Sequence, residues 1–235
     1  CIRDRSKQIL LTISKDDIFY TESRLILADF NNENSFEKEA INILKELIKT
    51  QEKNSEIYEL LGNIYRYHEK FDLAQEAYSE AIYLHQNSEF DNNNLWLLYF
   101  FRGIALEQLK NYEKSKQDLR KSLALMPDQP QVLNYLGYML IEQKENLEEA
   151  LGMIRKAVKI SPQSGYIIDS LAWGLYQLGR YSEAIEPMER AIELEPEDPI
   201  VNDHLGDVLW KVGRKREAYY QWKKTLLFNP TPELK

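Results

Sequence analysis

Small residues recur along the chain at an interval of about 34 residues, and this interval constrains the fold more than any other feature. Gly62, Gly103, Gly137, Ala172 and Gly206 lie 41, 34, 35 and 34 residues apart. Three further series keep the same register: Ala74, Ser115, Ala150, Ala184 and Ala218; Ala81, Ser122, Ala157, Ala191 and Thr225; and Pro127, Pro162, Pro196 and Pro230. Four series in one register indicate an array of repeats that bury their apolar faces against one another.

Each repeat is predicted to contain two amphipathic helices joined by a short polar turn. In one unit, apolar residues recur at helical spacing over 166–178 and again over 181–194, with Gly179 and Arg180 between them. The small residues have a steric role, because two antiparallel helices approach closely only where neither side chain projects far. Pro196 and its equivalents end the second helix, because proline has no N–H to donate and disfavours a helical conformation in the residue before it.

The register divides the chain into predicted segments. Residues 55–84 form one repeat and 95–230 four consecutive repeats. Between them, 85–94 is a polar insertion, which is either a loop or a lengthened helix end. Upstream, 6–54 is a degenerate region, in which the polar stretch 31–35 is the expected turn and 6–14 the second helix of an earlier repeat. Thr231, Pro232 and Glu233 have the pattern of a helix start. We therefore expect 231–235 to begin a capping helix, and earlier repeats to precede residue 6.

Cys1 is the single cysteine of the chain, so the sequence excludes an internal disulfide and a site with several thiolate ligands. A cysteine in first position is compatible with a lipid anchor. The opening CIRDR, however, resembles the translated end of a transposon adapter used in sequencing-library preparation. We therefore expect residues 1–5 not to be native sequence.

Composition and charge exclude several classes of function. The chain has 30 Lys and Arg residues against 38 Asp and Glu residues, a formal net charge of −8. This charge opposes the phosphate neutralisation that drives nucleic-acid binding, so we expect no nucleic-acid partner. The sequence contains no run of about 18 apolar residues, so we also expect no membrane span.

The residues needed for catalysis are scattered. His68, His85 and His204 lie in different repeats or loops without a metal-ligating neighbour at helical spacing, and we expect them to be solvated or to line a groove. The glycines do not cluster as they do in a phosphate-binding loop. The sequence therefore predicts no enzyme activity, no cofactor and no metal site.

The repeats resemble those of the tetratricopeptide repeat (TPR) family. Its Leu-Gly, aromatic, Ala and Pro positions appear in LGNIYRYHEKFDLAQEAYSEA, in LGYMLIEQKENLEEALGMIRKA and in LAWGLYQLGRYSEAIEPMERAIELEP. The resemblance implies an all-α, right-handed superhelical solenoid of antiparallel helix pairs that acts as a protein-binding scaffold. Residues 99–222 resemble a bacterial, alphaproteobacterial TPR subgroup whose members are usually exported. A more distant resemblance is to outer-membrane TPR lipoproteins that act as adaptors for a periplasmic protease. Together these imply a periplasmic or outer-membrane-associated location, whereas the residues alone leave the cytoplasm open.

One face of the first helix of each repeat is predicted to bind a partner. On a 3.6-residue helix, Asp169, Trp173 and Tyr176 share a stripe that differs from the packing stripe, and so do Asp203, Asp207 and Trp210. Equivalent stripes in the other repeats contain Asn134, Tyr138, Ile141 and Glu142, among others. In a solenoid such stripes line the concave side, where rings supply contact area and Asn and Asp pair with backbone or basic groups. The alternative is that Trp173, Tyr176 and Trp210 pack between repeats; Trp222 is expected to belong mainly to the core.

The predicted binding residues are Asn134, Tyr138, Asp169, Trp173, Tyr176, Asp203, Asp207 and Trp210. Some TPR grooves hold the C-terminal carboxylate of a partner with Lys, Arg and Asn side chains, but here aspartates stand where cations would be needed. Partners with neutral, aromatic or basic segments fit these charges better. The sequence thus predicts a scaffold or adaptor for a protein or peptide, in an envelope complex. Two alternatives are a structural component that binds through its convex face or its ends, and an enzyme.

Overall fold

The computed structural model describes residues 2–34, 36–51, 53–87 and 94–228, and this part of the chain contains thirteen α-helices. They form two compact units, residues 1–125 (unit 1) and residues 126–235 (unit 2). The helices of unit 1 are α1 (Ile2–Thr12), α2 (Tyr20–Glu33), α3 (Glu37–Thr50), α4 (Ser55–Tyr67), α5 (Phe71–Gln86), α6 (Leu95–Gln108) and α7 (Tyr112–Leu125). Those of unit 2 are α8 (Pro130–Glu142), α9 (Leu147–Ile160), α10 (Gly165–Gln177), α11 (Tyr181–Leu194), α12 (Pro199–Lys211) and α13 (Lys215–Thr225).

Consecutive helices pack as pairs, which confirms the all-α arrangement predicted from the repeats. In unit 1 the pairs are α2 with α3, α4 with α5 and α6 with α7; in unit 2 they are α8 with α9, α10 with α11 and α12 with α13. Each pair also packs on the next pair of its own unit. No helix in the described ranges is both long and apolar enough to cross a membrane.

Small residues allow the close approach within each pair, as the sequence predicts. A Cβ atom added at Gly137 on α8 would lie 2.7 Å from Cγ1 of Ile154 and 3.0 Å from the carbonyl oxygen of Ala150, both on α9. Ala150 and Ile154 are fully buried, so little space is available for either to move. The glycine is therefore a packing residue, set by the distance between two helix backbones.

The two serines that replace alanines in the register satisfy their hydroxyl groups locally. Ser115 Oγ donates to the carbonyl oxygen of Gly103 at 2.7 Å, and Ser122 Oγ donates to that of Trp96 at 2.8 Å. In the same pair of helices, Asp118 accepts hydrogen bonds of 2.6 and 2.9 Å from the guanidinium group of Arg102. Because Asp118 is buried, this bidentate ion pair links α6 to α7 with little competition from water.

The turns inside the pairs close in the same way in five repeats. Glu69, Lys110, Lys144, Gly179 and Gly213 have positive φ angles, between 55° and 86°. The residue after each one donates its backbone N–H to the carbonyl group five positions earlier, for example Arg180 to Leu175 at 2.9 Å. This is the Schellman arrangement, which satisfies carbonyl groups at the end of the first helix and reverses the chain. Only two of the five positions are glycine, so the sequence gives an incomplete signal for this turn.

Two polar residues lie inside helices rather than between them. Asn31, expected in a turn, lies in the last part of α2 and is buried. The stretch 85–94 is expected to be a loop or a lengthened helix end, and its first residue, His85, lies near the end of α5 and is buried. Residues 88–93 of the expected insertion and the expected capping helix at 231–235 lie outside the described residues.

Candidate binding surface

Trp173 on α10 is the central ring of a stacked aromatic group in unit 2. The half-buried indole stacks on Tyr176, with a centroid distance of 4.8 Å and an interplanar angle of 8°. The imidazole of His204 on α12 also stacks on it, at 4.1 Å and 10°. Residues three apart share a helix face, which explains the contact between Trp173 and Tyr176. The contact with His204 joins two neighbouring repeats.

His204 is held by a buried carboxylate. Its Nδ1 lies 3.0 Å and 3.1 Å from the two carboxylate oxygens of Asp169, and both residues are buried. Burial acts to lower the pKa of His204, but the charge and the hydrogen bond of Asp169 oppose it, with further help from Asp203 and Asp207. The net effect raises the pKa of His204 above its usual value. The protonated ring, which donates from Nδ1 to Asp169, is therefore favoured.

Asp203 and Asp207 place two half-buried carboxylates one turn apart on α12. Burial raises the pKa of both, and at Asp203 the negative charge of Asp207 raises it further. His204 opposes the rise at both carboxylates, while a hydrogen bond from Trp222 and the charge of Lys211 oppose it at Asp207. A raised pKa means that the charged form of each carboxylate lacks full solvation and that nearby cations do not fully compensate its charge. A cation brought by a partner would therefore stabilise it.

Glu142 connects α8 to the stacked rings. Trp173 Nε1 donates to its Oε1 at 2.8 Å. Tyr138, one turn earlier on α8, also hydrogen-bonds with Glu142, and its pKa lies above the usual value because of burial first and then the charges of Glu142 and Asp169. Its phenol therefore stays neutral. Asn134, one further turn back, is half-buried, and its Oδ1 has no hydrogen-bond partner within the described ranges.

Tyr138, Trp173, Tyr176, Asp203 and Asp207 are called the acidic aromatic surface below. Trp210 lies three residues after Asp207 on α12 and is 45% exposed. Its ring packs against Trp222 at a centroid distance of 5.5 Å, and Lys215 Nζ lies 5.0 Å from its centroid. Trp222 also contacts Gly206, where an added Cβ atom would lie 2.4 Å from the indole. Trp222 thus fills the space that the glycine leaves, in partial agreement with its expected core position.

Two residues of the predicted stripes are buried. Asp169 is 6% exposed and is paired with His204, so it positions other groups rather than offering a free charge. Ile141 is fully buried, because it packs towards Gly174 of the next repeat. A side chain on the edge of a helical stripe can reach either the groove or the neighbouring repeat. The 3.6-residue period of the helix does not show which of the two it reaches.

The role of His204 was missed by sequence reasoning, which expected solvated or groove-lining histidines. His204 and His85 are both buried. The repeat register makes Asp169 and Asp203 equivalent and places His204 one residue after Asp203, but it does not show that the imidazole reaches the carboxylate of Asp169 in the preceding repeat. Among the described residues, no group of His, Cys, Asp and Glu is placed to hold a metal ion.

Comparison with protein families matches three segments of the chain. Models described as tetratricopeptide or TPR repeats match residues 55–87, 96–129 and 175–213. The chain is a TPR protein. The segments 55–87 and 96–129 correspond to the helix pairs α4 with α5 and α6 with α7. The segment 175–213 begins near the end of α10, includes α11 and α12, and ends just after α12.

Several solved structures share the TPR fold. MamA from AMB-1 has a TM-score of 0.58 at 22% identity, covering 73% of this chain and 97% of its own. YrrB, described as a TPR protein with an unusual peptide-binding site, has a TM-score of 0.59 at 16% identity, covering 81% and 94%. The Cut9–Hcn1 hetero-tetramer of the APC/C has a TM-score of 0.79 at 18% identity, covering 99% of this chain and 44% of the other. No curated protein has a significant sequence match to this TPR protein. At these identities the similarity establishes the fold alone.

Proposed function

We propose that this TPR protein is a non-catalytic scaffold that binds a protein or peptide on the acidic aromatic surface of unit 2. The proposal rests on two half-buried carboxylates with raised pKa values, Asp203 and Asp207. Both act electrostatically on His204, whose ring stacks on Trp173, and Asp207 also raises the pKa of Tyr176, which stacks on Trp173. Rings supply contact area, while carboxylates select a positively charged group. The surface therefore fits a segment that contains Lys or Arg beside apolar or aromatic residues.

The pair formed by His204 and Asp169 prepares this surface before a partner arrives. The imidazole of His204 stacks on Trp173, and Glu142 accepts a hydrogen bond from the indole N–H. Fixing the ring in advance reduces the side-chain entropy that binding would otherwise cost. Asn134, with its unpartnered Oδ1, supplies an acceptor for a backbone N–H of the bound segment. Trp210 extends the surface along α12 with a more exposed ring.

The finer assignment is an adaptor in a bacterial envelope complex. It rests on the resemblance of residues 99–222 to exported bacterial TPR proteins and on the shared fold of MamA. YrrB shares the fold and is described as having a peptide-binding site, which supports a peptide as the partner of this protein. Nucleic acid is a poor partner for this surface, because Asp203, Asp207 and Glu142 would face its phosphates. Binding through the convex face or the ends of the array is the second candidate.

The test is selection of random peptides displayed on phage against the immobilised full chain. We expect enrichment of peptides that carry Lys or Arg next to an aromatic or aliphatic residue. For the best synthetic peptide, the Asp203→Asn and Asp207→Asn changes should each weaken binding severalfold at low salt, with slower association and a smaller salt dependence. Isothermal calorimetry and stopped-flow association measure these effects.

Two further variants make the experiment specific to this surface. Glu193→Gln removes the same charge from an exposed position on α11 and should leave binding unchanged. Trp173→Ala removes the central ring and should weaken binding about thirtyfold, the usual effect of an interface anchor worth about 2 kcal/mol. If the selected peptides bound all four variants equally, the binding site would lie elsewhere on the chain, as the second candidate requires.

A further inference from the structure

Unit 1 contains a cavity of about 500 Å³ that the proposed binding surface does not use. It lies between α1, α2 and α3. Its apolar wall is formed by Leu11, Leu27, Ile43 and Leu47, and Glu39 and Glu46 of α3 contribute polar groups. This volume lies within the range of about 300 to 1,000 Å³ that is typical of small-molecule and side-chain pockets.

Arg24 fixes the wall that α1 provides. Its Nη1 donates to the carbonyl oxygen of Leu10 at 2.8 Å, and its Nη2 donates to that of Ile13 at 3.0 Å. These carbonyl groups lie at the end of α1, where helical hydrogen bonds are absent and a cation is favourable. The guanidinium group also lies over the ring of Tyr20, 4.6 Å from its centroid. The open space is therefore bounded by helices that are tied together by specific bonds.

Asn31 gives the cavity an unsatisfied acceptor. It lines the cavity from α2, is 3% exposed, and its Oδ1 has no hydrogen-bond partner in the described part of unit 1. Its backbone is already engaged, because its carbonyl oxygen accepts from the N–H groups of Asn34 and Phe36 at 3.2 and 2.8 Å. A buried acceptor without a donor is destabilising, and a ligand that supplies the donor recovers that loss.

We propose that this cavity binds an indole ring, presented as a tryptophan side chain of a partner polypeptide, with the indole N–H donating to Asn31 Oδ1. The apolar wall accommodates the ring. The indole N–H is a donor without an acceptor of its own, so it satisfies Asn31 without bringing a second polar group that would itself need a partner. The charges that line the cavity are mixed, with Lys7 and Arg24 beside Glu39 and Glu46, so they favour neither an anionic nor a cationic ligand over a neutral ring.

A second cavity in unit 2 provides an internal contrast. It measures about 320 Å³ and lies between α9, α10 and α11, where Ile168, Leu171 and Pro187 contribute to its lining. None of the described residues that line it carries one of the buried polar atoms without a hydrogen-bond partner. Apolar rings that enter this cavity should therefore bind without regard to an N–H group.

The experiment compares indole with benzofuran, which has nearly the same shape and lacks the N–H donor. Methyl-labelled full chain is titrated with each compound, and the methyl signals of Leu11, Leu27, Ile43 and Leu47 report binding in the cavity. We expect saturable shifts at these methyl groups, with indole bound about three- to tenfold more tightly than benzofuran, as one neutral hydrogen bond allows.

Three variants decide whether the preference comes from Asn31. Asn31→Leu should bind both compounds with equal affinity. Gln221→Leu removes a different unpartnered buried amide oxygen, on α13, and should leave the indole preference unchanged. Ile43→Trp places an indole of the chain itself in the cavity and should abolish binding of both compounds, which keeps the test informative if Asn31→Leu does not fold. The proposal is overturned if neither compound shifts these methyl groups, if Asn31→Leu keeps the preference, or if Ile43→Trp binds both compounds normally.

Discussion

Gly137 and Gly152 lie in neighbouring helices of one pair, and the same substitution should leave the protein less stable at Gly137 than at Gly152. Both glycines are inside helices, so an alanine gains about 1 kcal/mol of helix propensity at either position. A Cβ atom at Gly152 on α9 meets nothing within 4 Å. At Gly137 on α8 it meets the Ile154 side chain at 2.7 Å and the backbone oxygen of Ala150 at 3.0 Å.

The magnitude follows from the difference between the two variants. Relieving the contact at Gly137 requires α9 itself to shift, because one of the opposing atoms is backbone. Overpacking of this kind costs roughly 1 to 3 kcal/mol. The propensity gain is common to both variants and cancels, so Gly137→Ala should be less stable than Gly152→Ala by roughly 1 to 3 kcal/mol. We expect Gly152→Ala to exceed the parent chain in stability and Gly137→Ala to fall below Gly152→Ala in every condition.

Thermal and urea denaturation followed by far-ultraviolet circular dichroism measure the difference, and hydrogen exchange locates it. Exchange in Gly137→Ala should accelerate in α8 and α9 first, because repeats of an array depend mainly on their neighbours. Equal stability of the two alanine variants would refute the reasoning. It would mean that α8 and α9 do not approach each other at Gly137 as closely as the structure shows.

Two further predictions concern buried charges. Because the pKa of folded His204 lies above the unfolded value of about 6.5, its contribution to stability is fully present below that pH and is lost as the pH rises through the folded pKa. The stability difference between the parent chain and His204→Gln should therefore be larger at pH 6 than at pH 9, measured by urea denaturation, and a constant difference would contradict the assignment. Asp118→Ala leaves Arg102 without its buried partner and should cost about 3 to 5 kcal/mol. Glu46→Ala removes the solvent-exposed partner of Lys49 and should change stability by less than about 1 kcal/mol in the same assay.

The helix pairs could be predicted from the sequence because the residues that specify them act within a single repeat. Gly137, Ala150 and Pro162 recur because every repeat needs the same close contact and the same helix end, so the period itself carries the information. The left-handed turn residues were harder to recognise, because Lys110 and Lys144 adopt a conformation that glycine adopts more easily. There the pairing of the helices overrides the local preference of the residue.

The candidate site could be predicted in part, since helical spacing identified Asp169, Trp173 and Asp207 as neighbours on their own helices. Spacing alone did not separate a buried edge of the stripe from an exposed one. Asp169 belongs to the buried edge because His204 of the next repeat reaches its carboxylate. This contact depends on the offset between two helices from different repeats, and a sequence read one helix at a time does not contain that offset.

The sequence by itself determined that this protein is a repeat array of helix pairs, because steric limits at small residues and the absence of an N–H group in proline act within a single unit. Only the tertiary structure decided which polar side chains are paired and which lack a partner. Asp118 meets Arg102 across a helix pair, whereas Asn31 retains an unsatisfied oxygen beside a cavity. The physical reason is that hydrogen bonds are made or lost over a few tenths of an ångström, while a hydrophobic period specifies only the face of a helix.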